Sequence, residues 1–170
     1  MKRDNQQERL FNTVKFDQNF QWYLVGFVDG EGSFCVSLKN MPTHRFKFQI
    51  DPSFYLYQHE KNKWILDLVQ KFFHGGGIHR KTSPYSVYTY ALHGVRNMKE
   101  KVIPFFTKHP LLVKRDVFET FSKIVGMMDR QEHHHYDGFV QIVKMAYELN
   151  QMGKGRKWEL ETVLSKIPRD

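Results

Sequence analysis

The chain has 170 residues, 26 Lys and Arg against 18 Asp and Glu for a formal charge of +8, with 41% hydrophobic and 15% aromatic residues. That balance excludes a disordered tail and suits one folded domain with its own core. No apolar run approaches the roughly 20 residues that span a bilayer, so membrane insertion is not expected.

The excess of positive charge points to a polyanionic partner, nucleic acid first, because each neutralised phosphate releases counterions. A lone cysteine, Cys35, rules out an intramolecular disulfide framework. It favours a reducing intracellular compartment, either an organelle (chloroplast or mitochondrion) or the bacterial cytoplasm.

Residues 1–16 lack sustained periodicity and are read as an N-terminal arm, with 17–170 as a single domain. The arm has no apolar segment of the kind a secretory signal needs. From Asp17 the character changes. Asp17 is a helix cap, the following residues are almost all apolar or aromatic, and Gly30 and Gly32 are expected to end the run, giving a helix over 18–29.

Alternation then predicts two strands. Phe34, Val36 and Leu38 share one face, with Ser33, Cys35, Ser37 and Lys39 on the other. In the second strand Phe46, Phe48, Ile50, Phe54 and Leu56 point inward, opposite Gln49, Asp51, Ser53, Tyr55 and Tyr57. Pro52 favours an edge position or a bulge there. A helix over 60–73 follows, with Trp64, Ile65, Leu68, Val69, Phe72 and Phe73 at helical spacing and a stop at Gly75, Gly76 and Gly77. Residues 77–92 read as a hairpin around Ser83-Pro84, carrying His79, Arg80 and Lys81 beside Tyr85, Tyr88 and Tyr90, with its register open. Helices are expected near 95–106, reset at Pro104, and at 115–128, 137–150 and 156–166.

The order is αββαββα with further helices, an α+β class. It implies a four-stranded antiparallel, saddle-like sheet with helices on one face and a polar face left open.

The segment Leu24-Val25-Gly26-Phe27-Val28-Asp29-Gly30-Glu31-Gly32, followed by Ser33-Phe34, resembles the motif of the LAGLIDADG homing endonucleases. Val25 stands where that family often has alanine, and Glu31 where it often has aspartate. Further landmarks of the family's single-motif members fall in order over residues 20–152. They are Pro52-Ser53-Phe54, Gln58-His59-Glu60-Lys61, Gly75-Gly76-Gly77, Ile103-Pro104-Phe105-Phe106, His109-Pro110-Leu111-Leu112, Glu132-His133 and Asn150.

An apolar helix with Gly26 on it must bury its exposed face against something, and a second copy is the natural partner. The resemblance therefore implies a homodimer through the helix 18–29. It would cut both strands of a long pseudo-palindromic site in double-stranded DNA, with Mg²⁺ (Mn²⁺ as a substitute) held by the Glu31 carboxylate and the Gly30 carbonyl.

Asp29, in the last helical turn, is expected to be structural. Gln58 resembles the polar residue that positions active-site water. Lys114 resembles the lysine near the scissile phosphate, with Arg115 as the alternative. The expected DNA-contacting residues are Ser33, Ser37, Lys39, Gln49, Asp51, Ser53, Tyr55, Tyr57, Arg80 and Lys81, which suit base edges or phosphates. An RNA maturase or a DNA-binding regulator of the same fold is the alternative, and the chain's own intron RNA is a possible further partner.

Two other signals carry less. Three consecutive histidines, His133, His134 and His135, point in different directions and lack zinc-finger spacing. Gly153-Lys154-Gly155-Arg156-Lys157 lacks the ending of a phosphate-binding loop and reads as a basic connection.

Overall fold

Asp17 starts the first long helix: its carboxylate accepts from the Phe20 amide at 3.1 Å, satisfying one of the free donors at a helix N-terminus. The computed structural model describes residues 11–81, 86–149 and 158–169. The first ten residues, the Ser83-Pro84 turn with Tyr85, Asn150 and the Gly153–Lys157 connection lie outside the described residues.

Helix α1 (Gln18–Glu31) passes directly into β1 (Gly32–Asn40), and β2 (Phe48–His59) returns along it. A single 3₁₀ turn, Glu60–Asn62, leads to α2 (Lys63–Phe72), then β3 (Gly77–Arg80) and β4 (Val87–His93). Next come a short α3 (Val95–Asn97), a π-helical stretch Met98–Val102 and α4 (Ile103–Lys108). The chain continues with α5 (Arg115–Asp129), a 3₁₀ turn Glu132–His134, α6 (Tyr136–Leu149) and α7 (Leu160–Lys166).

The four strands form one antiparallel sheet in the order β1-β2-β4-β3, as the αββαββα pattern predicts. No described helix is long and apolar enough to cross a membrane.

The expectation that Gly30 ends α1 is corrected, because the helix runs through it to Glu31. The exit is made at Gly32, where a Cβ would meet Val28 Cγ1 and the Val28 carbonyl oxygen at 2.7 Å each. Only a glycine lets the strand start this close under the last helical turn.

Pro52 is corrected as well: β2 is interior, and its register with β1 is unbroken from Gly32↔Leu56 to Asn40↔Phe48. Pro52 is accommodated because β4 pairing stops one residue away, at Ser53↔His93. Its carbonyl accepts from Gly94 at 2.9 Å, so its missing N–H falls on that same, locally open side. Pro104 acts as predicted on the helix over 95–108: it sits in the first turn of α4, and the widened π stretch precedes it. That widening removes the carbonyl a proline ring would strike.

The core lies between the inner sheet face and the helices. Phe34 stacks on Phe54 with centroids 5.3 Å apart and meets Phe106, Phe118 and Phe121 at 5.6, 5.4 and 5.4 Å. Each such ring, fully buried, contributes about 1.5–3 kcal/mol. Residues 11–16, expected to be an arm, join the body at least in part. Phe16 packs on Phe20 and Phe72 at 5.0 and 5.5 Å, and Phe11 and Val14 lie against the core.

Candidate nucleic-acid interface and active site

The junction of α1 with β1 places the motif residues. Leu24, Val25 and Val28 are buried, which turns Trp22, Tyr23, Gly26 and Gly30 to the outside. Trp22 and Tyr23 remain 48% and 50% exposed, and a Cβ on Gly26 or Gly30 would meet nothing within 4 Å. The stripe is thus bulky at one end and bare backbone at the other. Glu31 stands exposed at the bare end, with no ion pair among the described residues.

Asp29 and Lys114 hold this end of the helix. The Asp29 carboxylate accepts from the backbone amides of Leu112 at 2.9 Å and Lys114 at 3.1 Å. It thereby serves the N-terminus of α5, where a negative charge is favoured. Burial on its own would push the Asp29 carboxyl up, but the amides of Leu112, Lys114 and Val113 and the Lys114 charge outweigh that and hold it below the usual value. In return the Lys114 ammonium donates to the carbonyls of Val28 at 3.1 Å, Asp29, and Gly30 at 3.2 Å.

The Lys114 donors thus close the C-terminus of α1 and stand beside the Gly30 carbonyl, one residue before Glu31. The alternative, Arg115, donates to the Leu111 carbonyl at 3.4 Å. The Gly30 carbonyl, the other expected metal ligand, accepts from the same ammonium at 3.2 Å and is adjacent in sequence to Glu31.

Gln58 lies two residues beyond Leu56, which pairs with Gly32. It is therefore at the same end of the sheet as Glu31, and its side-chain oxygen accepts from the His59 amide at 2.8 Å.

On the open face Lys39 and Asp51 form an ion pair at 2.6 Å, which raises the Lys39 pKa chiefly through that hydrogen bond. Ser37 bonds the Asp51 carbonyl at 3.4 Å. Tyr55 and Tyr57 are stacked with centroids 6.4 Å apart, and burial raises the Tyr57 hydroxyl. Lys81 reaches over Tyr57 at 5.2 Å, while Ser33 and Gln49 complete the row along β1 and β2.

Ser53 departs from expectation. It belongs to this face by register but is fully buried, bonded to His93 Nδ1 at 2.8 Å. Arg80 also departs: it pairs in register with Tyr88, which pairs with Gln58, so alternation puts it on the helix side. There its guanidinium stands 3.8 Å from Glu60. The same register assigns His79, opposite Thr89, to the open face with Lys81.

A LAGLIDADG endonuclease family model matches residues 24–125. The chain belongs to the LAGLIDADG endonuclease family. Homing endonuclease I-ApeII of Aeropyrum pernix is 30% identical over 152 residues, 87% of this chain and 90% of that one. The solved homing endonuclease I-TnaI superposes with a TM-score of 0.78 at 33% identity, over 87% of this chain and 97% of its own. The archaeal intron-encoded homing endonuclease I-Vdi141I, solved in complex with DNA, gives 0.79 at 31% identity over 88% and 96%.

His93 on the polar face gives no signal in the sequence, and His79, legible as part of the hairpin, takes its face only from the register. Cross-strand pairing places both: His93 lies opposite Ser53, and His79 lies opposite Thr89, which pairs with Tyr57.

Proposed function

We propose that this chain is a site-specific homing DNA endonuclease acting as a homodimer, each protomer bringing one Glu31 to one strand of a long pseudo-palindromic site. The observation that carries the reading is the position of Glu31. It is exposed where a bare, glycine-lined helix stripe meets the polar face of the sheet.

A two-fold interface is self-complementary, and the Trp22, Tyr23, Gly26 and Gly30 stripe suits it: aromatic anchors at one end and close backbone approach at the other. Two stripes laid together bring two Glu31 carboxylates side by side.

Glu31 is a hard oxygen donor that suits Mg²⁺, or Mn²⁺ in its place. Among the described residues no cluster of three or more His, Cys, Asp or Glu could hold a metal. The fit therefore rests on the Glu31 carboxylate and the Gly30 carbonyl, completed by oxygens from water, DNA phosphates and the second protomer. When bound, the metal would activate water and stabilise the leaving oxygen. Lys114 positions Glu31 by fixing the helix end, and Gln58 has an amide at the same end of the sheet with which to orient a water. The sheet face carries the DNA contacts through Lys39, Gln49, Tyr55, Tyr57 and Lys81.

The test is incubation of purified protein with a duplex library in Mg²⁺, beside Glu31→Gln and a chelated control. Site-specific double-strand breaks that vanish in both controls are expected. Tight binding without cleavage in Mg²⁺ or Mn²⁺ would move the chain to the maturase or regulator reading.

A further inference from the structure

Ser53 is a polar side chain with no access to water. Its hydroxyl lies 2.8 Å from His93 Nδ1 and 3.5 Å from the Asp51 carbonyl. A hydroxyl enclosed in this way must donate to something, and the nearer acceptor gives much the better bond. Donation to Nδ1 leaves the proton of the neutral imidazole on Nε2.

The Asp51 carboxylate, 3.6 Å from Nδ1, favours the opposite tautomer. Lys39 sits 2.6 Å from the same oxygen and offsets that charge. Were His93 protonated, Nε2 would still carry a proton. The ring is held edge-on by Tyr55, 5.6 Å away at 84°. Its side chain is 49% exposed, and because Nδ1 is tied down to the buried Ser53, Nε2 is the edge that faces out.

We propose that His93, held as an Nε2–H donor by Ser53, is a specificity-determining residue that reads one purine through the major groove, guanine in preference. This rests on the endonuclease reading above. The choice of guanine follows from the groove. Guanine offers two acceptors, N7 and O6, to one donor; adenine sets a donor beside its N7; cytosine offers only a donor. Ser53 acts through His93 and is a positioning residue.

The experiment selects a bound site for the full-length protein from a randomised duplex library. Binding is then measured on duplexes changed at one base pair at a time. The wild type should prefer G·C at one position of each half-site by roughly 5- to 150-fold. His93→Ala should flatten that position and leave the others unchanged. Ser53→Ala should weaken the same position, and His93→Gln should move its preference towards adenine, which a glutamine amide matches.

A changed base preference is a readout that a purely structural role would not produce, and melting curves confirm that each variant is folded. An unchanged profile in His93→Ala, with the wild type still specific, overturns the proposal alone. A uniform loss at every position also overturns it, since that is the mark of a phosphate contact. Absence of any sequence preference in the wild type removes both the proposal and the endonuclease reading.

Discussion

Asp29 and Lys114 form a reciprocal clamp in which each charge serves the end of the other's helix. The carboxylate meets free amides at the start of α5, and the ammonium meets free carbonyls at the end of α1. Replacing Asp29 with Asn, which keeps one acceptor oxygen but loses the charge, is expected to lower the unfolding free energy at pH 7 by about 0.3–1 kcal/mol. Because the folded pKa is depressed, the unfolded chain binds the proton more tightly. The contribution is therefore complete above the unfolded value, near ~3.9, and is lost as pH falls through the folded one. Urea titrations of the two proteins should thus diverge at neutral pH and converge in acid.

Lys114→Met should cost up to about 2 kcal/mol as α1 loses its C-terminal cation. With the Lys114 ammonium kept on these carbonyls, the salt slope of DNA binding should be unchanged. A slope reduced by roughly one would instead mean that Lys114 touches phosphate.

Helix α1 has two faces with opposite demands. The inner one needs Leu24, Val25 and Val28 in the core, and the outer one, in the proposed dimer, needs bare backbone. Gly26→Ala separates them: the site has room for a methyl group, and alanine is the better helix former by about 0.8–1 kcal/mol. The isolated fold should be slightly stabilised while self-association weakens, which thermal melts and sedimentation can measure side by side.

At the end of α2 the chain turns through Gly76 at φ 85°, where a Cβ would lie 2.6 Å from the Tyr90 ring. Gly76→Ala should destabilise by about 1–3 kcal/mol, visible as a lower melting temperature.

These elements also mark what the sequence made legible. Apolar periodicity and capping residues place α1, both long strands, α2 and the later helices to within a few residues, because each follows from local chemistry. What local chemistry does not encode is pairing across the sheet. The β3–β4 register decides that Arg80 lies on the helix side and His79 on the open face, and the β2–β4 register brings His93 over Ser53. Nor does it encode the partner of a charge 85 residues away, which is why the contacts of Lys114 with the end of α1 are not legible in the sequence.

The molecule as a whole carries a charge of +8 and one copy of the motif, so each chain contributes one polar sheet face and one Glu31. On the proposed reading, cutting two strands takes two chains, with each Glu31 serving one strand. The measurement that meets this claim most directly uses mixed dimers of wild-type and Glu31→Gln chains, isolated by differential tags and given supercoiled plasmid carrying the selected site in Mg²⁺. The account predicts nicked circles from the mixed dimer, linear product from the wild type, and uncut but bound plasmid from the double variant. Linear product from the mixed dimer at the wild-type rate would contradict it.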